Sequence, residues 1–190
     1  MELFKGARLK TGRSILAKKV AKMIRKSYYS CISDVKSIGI VWDASRVQEF
    51  GNISKFFQKM NERNIDVKVI GYFPGKELPD QYTAIRYLSC IRRNELSFFF
   101  HPVSAEADFF IKNPFDVLID INFEKILPLY FITTLSAARF KVGLFNHEKD
   151  SAVFDLMLDL NKPVPVEHYL AEIMHYLEMI NSRVPSQVDN

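Results

Sequence analysis

Residues 115–145, FDVLIDINFEKILPLYFITTLSAARFKVGLF, carry the pattern that decides the fold. Phe115 to Ile121 follows Pro114 as a short run of apolar and β-branched residues, the pattern of a buried strand. Ile126 to Ala138 has the length and spacing of a helix, and Phe140 to Phe145 is a second apolar strand. Strand, helix and strand in direct succession make a βαβ unit, whose two strands run parallel because the helix carries the chain back.

The same alternation extends outward. Lys36 to Trp42 and Asp66 to Phe73 read as two earlier strands, the latter closed by the turn dipeptide Pro74-Gly75. Between them Val47, Phe50, Ile53, Phe56, Phe57 and Met60 repeat at helical intervals. Ser45 and Gln48 stand at capping-box spacing before that helix, which should end near Asn64. Val153 to Leu160 reads as a last strand. A C-terminal helix starts at Pro165 and runs through Val166, Tyr169, Leu170, Ile173, Met174, Leu177 and Ile180. The stretch 76–114 is the least decided: Tyr82, Ala84, Arg86 and Leu88 alternate without fixing strand or helix, and a short helix fits between Ser104 and Lys112. Phe98 to Phe100 and Phe109-Phe110 are expected in the core. The expected fold is a three-layer α/β domain with a mainly parallel, Rossmann-like sheet covered on both faces.

Ahead of it lies a different composition. Residues 1–26 hold nine Lys and Arg against the single acid Glu2, so this segment is +8 while the whole chain is +4. From Ala7 to about Tyr28, Leu9, Leu16, Val20, Met23 and Ile24 fall on one helical face among these charges. The expected organisation is a basic amphipathic helix over 1–28, the α/β domain over 29–181 and a polar tail over 182–190. The apolar stripe of this helix is expected to pack on the domain. Lys18, Lys19, Lys22, Arg25 and Lys26 are the candidates to meet an acidic partner or nucleic-acid phosphates.

FDVLIDIN, a helix containing LSAAR (135–139) and FKVGLF together resemble the first Rossmann-like half of GT-B glycosyltransferases of the heptosyltransferase type. In those enzymes a D-x-x-I-D strand, a helix and an x-x-V-G-F strand follow one another. The segment is still more similar to a family of uncharacterised Bacteroidota proteins that use this half-fold alone. The resemblance implies the fold. It implies no catalytic residue, because Trp42-Asp43-Ala44-Ser45 stands where those enzymes have a glycine-rich loop, and 190 residues hold one such half.

Open parallel sheets bind ligands beyond the carboxyl ends of their strands. There the sequence offers Asp43 and Ser45, Tyr72, then Asp120, Asn122 and Glu124, then Asn146 and His147. Asp43, Ser45, Asp120, Asn122 and Glu124 are the candidate ligand-binding residues, and their oxygens suit a hard cation such as Mg²⁺. Helix capping is the commoner use of such residues and is the expectation here, by Asp120 and Asn122 for one helix and by Asp43 or Ser45 for the other. His168, Glu172 and His175 share a stripe of the last helix that is expected to face solvent. No cofactor or metal is assigned. GxSxG, GxxxxGK[ST], GxGxxG and HExxH are all missing, which removes the usual warrants for catalysis. Two cysteines, Cys31 and Cys90, and no long apolar segment point to free thiols in a reducing cytosol. The expected function is a small, non-catalytic binding or interaction domain. The alternatives are a Mg²⁺-dependent enzyme acting on sugar phosphates or nucleotides, and nucleic-acid binding through the basic helix.

Overall fold

The computed structural model describes residues 4–29, 31–145, 153–160 and 164–180. Six strands, β1 (Ser37–Asp43), β2 (Asp66–Phe73), β3 (Leu88–Arg92), β4 (Val117–Asp120), β5 (Phe140–Leu144) and β6 (Leu156–Leu158), form one sheet in the order β3-β2-β1-β4-β5-β6. Every pairing is parallel. The helices are α1 (Lys5–Val20), α2 (Phe50–Glu62), α3 (Ala105–Lys112), α4 (Leu127–Leu135) and α5 (Val166–Met179). This is a three-layer, Rossmann-like α/β fold.

Period-two alternation sends successive strand residues to opposite faces. Ile38, Ile40, Trp42, Val67, Val69, Val117 and Ile119 are buried against Ile53, Phe56 and Met60 of α2 and Tyr169, Leu170 and Ile173 of α5. Val41, Ile70, Ile91 and Leu118 are buried on the other face, with Ala107 and Phe110 of α3 and Leu129 and Ile132 of α4. β3 is the strand that the sequence left undecided. Its residues, Leu-Ser-Cys-Ile-Arg, are only half apolar, as suits an edge strand paired on one side with β2.

The basic segment behaves differently from its sequence pattern. The helix ends at Val20, and residues 23–29 run without regular structure. Leu16 packs with Leu127 and Phe131 of α4. Val20 and Ile24 are exposed, so the apolar stripe expected beyond Leu16 does not continue inward. Gly12 is buried and lets the helix touch the loop at Phe99, where a Cβ would stand 2.5 Å from Phe99 O. Beyond the helix, Arg25 forms a bidentate ion pair with Asp155, at 2.8 and 2.7 Å. Tyr28 N–H then bonds Arg139 O, and the Tyr29 hydroxyl donates to Leu177 O of α5. The segment thus crosses from the α4 layer to the α5 layer past the start of β5.

Asp155 also accepts the backbone N–H of Lys141 at 2.7 Å. Burial alone would raise its carboxyl, but the Arg25 guanidinium and this N–H hold it below the usual carboxylate range. Lys141 itself is 1% exposed, with Nζ donating to Thr134 O of α4 at 2.9 Å. Burial, with a smaller push from Arg25, depresses its amine to about 7 from an ordinary 10.5. Above about pH 7 the folded amine is neutral while the unfolded chain still binds the proton, so stability rises from pH 7 toward 10.5.

Two outcomes test this packing. Gly12→Ala forces α1 off the Phe99 carbonyl and lowers stability by about 1–3 kcal/mol in chemical denaturation, whereas Gly6→Ala, with open space around it, does not. Lys141→Met raises stability at pH 6 by about 1–4 kcal/mol and flattens the rise between neutral and alkaline pH. Equal pH slopes in variant and parent would refute the buried amine.

Candidate functional site

The strand order reverses between β1 and β4, and a crevice opens at such a switch point. Val41 pairs with Asp120 across it, which places Asp43 on one lip and Asn122, Phe123 and Glu124 on the other. Asp43, Arg46, Asn122, Phe123, Glu124 and Ile126 line a cleft of about 270 Å³ there. An adjoining hollow of about 50 Å³ runs along Asp120, Asn122, Lys125, Tyr130 and Phe154.

The five residues expected at this site divide into three kinds. Asp120 is buried; its Oδ2 accepts the Thr133 hydroxyl of α4 at 2.6 Å, and its Oδ1 accepts the Asn122 backbone N–H and Nδ2 at 3.0 and 2.6 Å. Its carbonyl accepts the buried Tyr169 hydroxyl from α5, so both helical layers bond this one residue. Burial and the neighbouring Asp120 carboxylate raise the Tyr169 phenol far above its ordinary range, which keeps it a donor. Asn122 also donates Nδ2 to Val41 O at 3.2 Å, bracing β4 against β1. That leaves its buried Oδ1 without a donor among the described residues. Asp43 Oδ1 accepts the backbone N–H and hydroxyl of Ser45, at 3.1 and 2.6 Å, in an Asx turn. Glu124 is exposed at the rim.

These bonds correct the capping expectation. No side chain caps α4, whose N-cap is Ile126, and none caps α2 or the 3₁₀ turn Val47–Glu49 before it. Ser45 turns toward Asp43, because the aspartate two residues upstream accepts its hydroxyl locally, and its oxygen caps no helix N–H. The structure brings Asp43, Asn122 and Glu124 to one cleft but locks Asp120 beneath it and turns Ser45 onto Asp43. Asn146 and His147 lie outside the described residues. Three cleft residues are new: Ile126, Phe123 and Arg46, whose guanidinium lies 4.9 Å from the centre of the Phe123 ring. The only sequence signal of Arg46 and Phe123 was position, one turn beyond each strand.

The remaining candidates separate clearly. His168 and His175 are exposed on α5, and no group of three metal-ligating residues occurs among the described residues. Burial, with help from Glu95, pushes the Cys90 thiol up to about 12, so it is no thiolate at neutral pH. Among the proposed partner residues, Arg25 is committed to Asp155 and Lys19 Nζ lies 2.8 Å from His101 Nε2, leaving Lys18, Lys22 and Lys26 exposed. Phe98 and Phe109 are 63% and 68% exposed, contrary to their expected place in the core.

A parallel sheet in this order, with a polar cleft at its switch point, defines a Rossmann-like α/β domain. The chain belongs to a family of unknown function (DUF6913), whose profile matches residues 8–180. No curated protein matches it. No described helix is long and apolar enough to cross a membrane.

Thr133→Val keeps the shape of the side chain but removes the hydroxyl that Asp120 Oδ2 accepts. It should cost about 1–3 kcal/mol in chemical denaturation, with Thr133→Ser close to the parent. A neutral Thr133→Val would show that this bond does not hold α4 to the sheet.

Proposed function

We propose that the protein is a non-catalytic binding domain that takes a small polar anion, of the sugar-phosphate class, in the β1/β4 cleft. The observation that carries this reading is the commitment of the carboxylates. Asp120 is tied to Thr133 and Asn122, and Asp43 to Ser45, so the acids brace the cleft instead of gathering around one ion. The lining sets the Arg46 guanidinium, the Phe123 ring and the exposed Glu124 beside Asp43, Asn122 and Ile126. Arg46 suits a phosphate, Phe123 offers its ring to a sugar face, and Glu124 accepts hydroxyls. The resemblance of residues 115–145 to the GT-B half-fold supports the same ligand class, since this segment folds as β4, α4 and β5 in succession.

Thermal-shift measurements with glucose 6-phosphate and UDP-glucose, with and without Mg²⁺, test the proposal. A ligand bound only by the folded chain raises Tm. The expected outcome is a rise that does not need Mg²⁺, is lost in Arg46→Ala, and is accompanied by no turnover of either compound. Mg²⁺-dependent release of product that vanishes in Asp120→Asn would replace this reading with the enzyme. No shift with either ligand would remove the cleft as a sugar-phosphate site.

A further inference from the structure

A second cleft opens at the carboxyl end of β2 and shares no lining residue with the first. It measures about 380 Å³, within the size range of small-molecule sites. Its described lining is Lys5 and Arg8 from α1, Tyr72 at the end of β2 and Pro74 after it, Arg93 after β3, and Leu96, Ser97, Phe98 and Phe100 from the loop before α3. Three cations therefore face one hollow from two distant parts of the chain. None of the three has a carboxylate partner among the described residues. Nearby acids are engaged elsewhere: Glu95 with Arg92, and Asp43, beside Tyr72 in the register, with Ser45.

The aromatic side of the cleft is built with care. Ser97 and His101 close a tight turn through Ser97 N–H to His101 O at 2.8 Å, and Leu96 pairs with Pro102. Phe100 sits at φ 63°, a left-handed backbone that bulky residues rarely adopt and that costs free energy. Phe98 and Phe100 both lie against Arg8, whose guanidinium is 4.3 and 4.6 Å from the two ring centres. Arg8 Nε also donates to Phe98 O at 2.8 Å. The guanidinium is thus oriented while its charge stays uncompensated, and Phe98 is left 63% exposed at the rim. An exposed aromatic ring beside cations without carboxylate partners is a surface that stacks a base and neutralises a phosphate.

We infer that this cleft binds a nucleotide unit, with a base stacked on Phe98 and its phosphate held by Lys5, Arg8 and Arg93. The same chemistry is offered by a free nucleotide or by one unit of a single strand. The basic helix carries no aromatic residue of its own between positions 5 and 27, and the fold supplies them from a loop some ninety residues away.

Fluorescence anisotropy with a labelled oligouridylate, and competition by AMP, test the inference on the full chain. Oligonucleotide binding should weaken steeply as salt rises from about 50 to 200 mM. Phe98→Ala, at an exposed position, should weaken it about tenfold or more, and Arg93→Glu should do the same. Lys59→Glu on α2 and Arg46→Ala in the other cleft should leave it unchanged, so failure here is independent of the sugar-phosphate reading. Displacement by AMP assigns the site to free nucleotides, and binding that AMP does not displace assigns it to strands; either supports the cleft. Absence of binding by both probes overturns it. So does loss of affinity in Lys59→Glu equal to that in Arg93→Glu, or binding of phosphatidylserine vesicles without oligonucleotide.

Discussion

A parallel sheet has to be shielded from water on both faces, and this constraint organises the molecule. Residues that alternate along β1, β2 and β4 are apolar on both sides, so α2 and α5 must cover one face and α3 and α4 the other. The two layers are separate apolar clusters with few chances to communicate. Asp120 supplies one, since α4 bonds its carboxylate and α5 bonds its carbonyl. A buried carboxylate is unfavourable unless its oxygens are satisfied. Here the satisfying groups come from the covering helix and the following loop, so the polar knot holds the layers in register at the point where the cleft opens.

Most of this architecture was visible as local pattern. The runs at 38–42, 69–73 and 117–119 are apolar and rich in β-branched residues, as strands covered on two faces require. β3 was obscure for the complementary reason: with a neighbour on one side only, Leu88, Cys90 and Ile91 suffice, and Ser89 and Arg92 dilute the signal. The overlong basic helix has a physical cause as well. Met23 and Ile24 continue the helical spacing, but Arg25 is drawn to Asp155, and no window of sequence displays a partner 130 residues distant.

The carboxyl ends of the strands were legible in outline, and the bonds their residues make were less so. Strand ends show which residues reach the rim. They do not show which bond each carboxylate makes, because Ser45 and Thr133 compete for Asp43 and Asp120 through geometry set by the whole fold. Arg46 and Phe123 came forward only when the two loops faced each other. The aromatic loop shows the limit most clearly: three consecutive phenylalanines look like core by composition, yet a tight turn leaves Phe98 exposed, sets Phe98 and Phe100 beside Arg8 and gives Phe99 to Gly12.

The clasp between Arg25 and Asp155 also has a consequence in time. Within the chain α1 and the segment after it are made before the sheet, yet they contact Phe99, Leu127, Phe131 and Asp155. Contacts at such separation cannot form until the intervening loop is closed, and closing it costs chain entropy that only the finished sheet offsets. This segment is therefore among the last parts of the domain to dock. Until then its cations and the Leu127/Phe131 face of α4 are both open to other molecules, and the nascent chain presents a basic arm that the completed fold partly folds away.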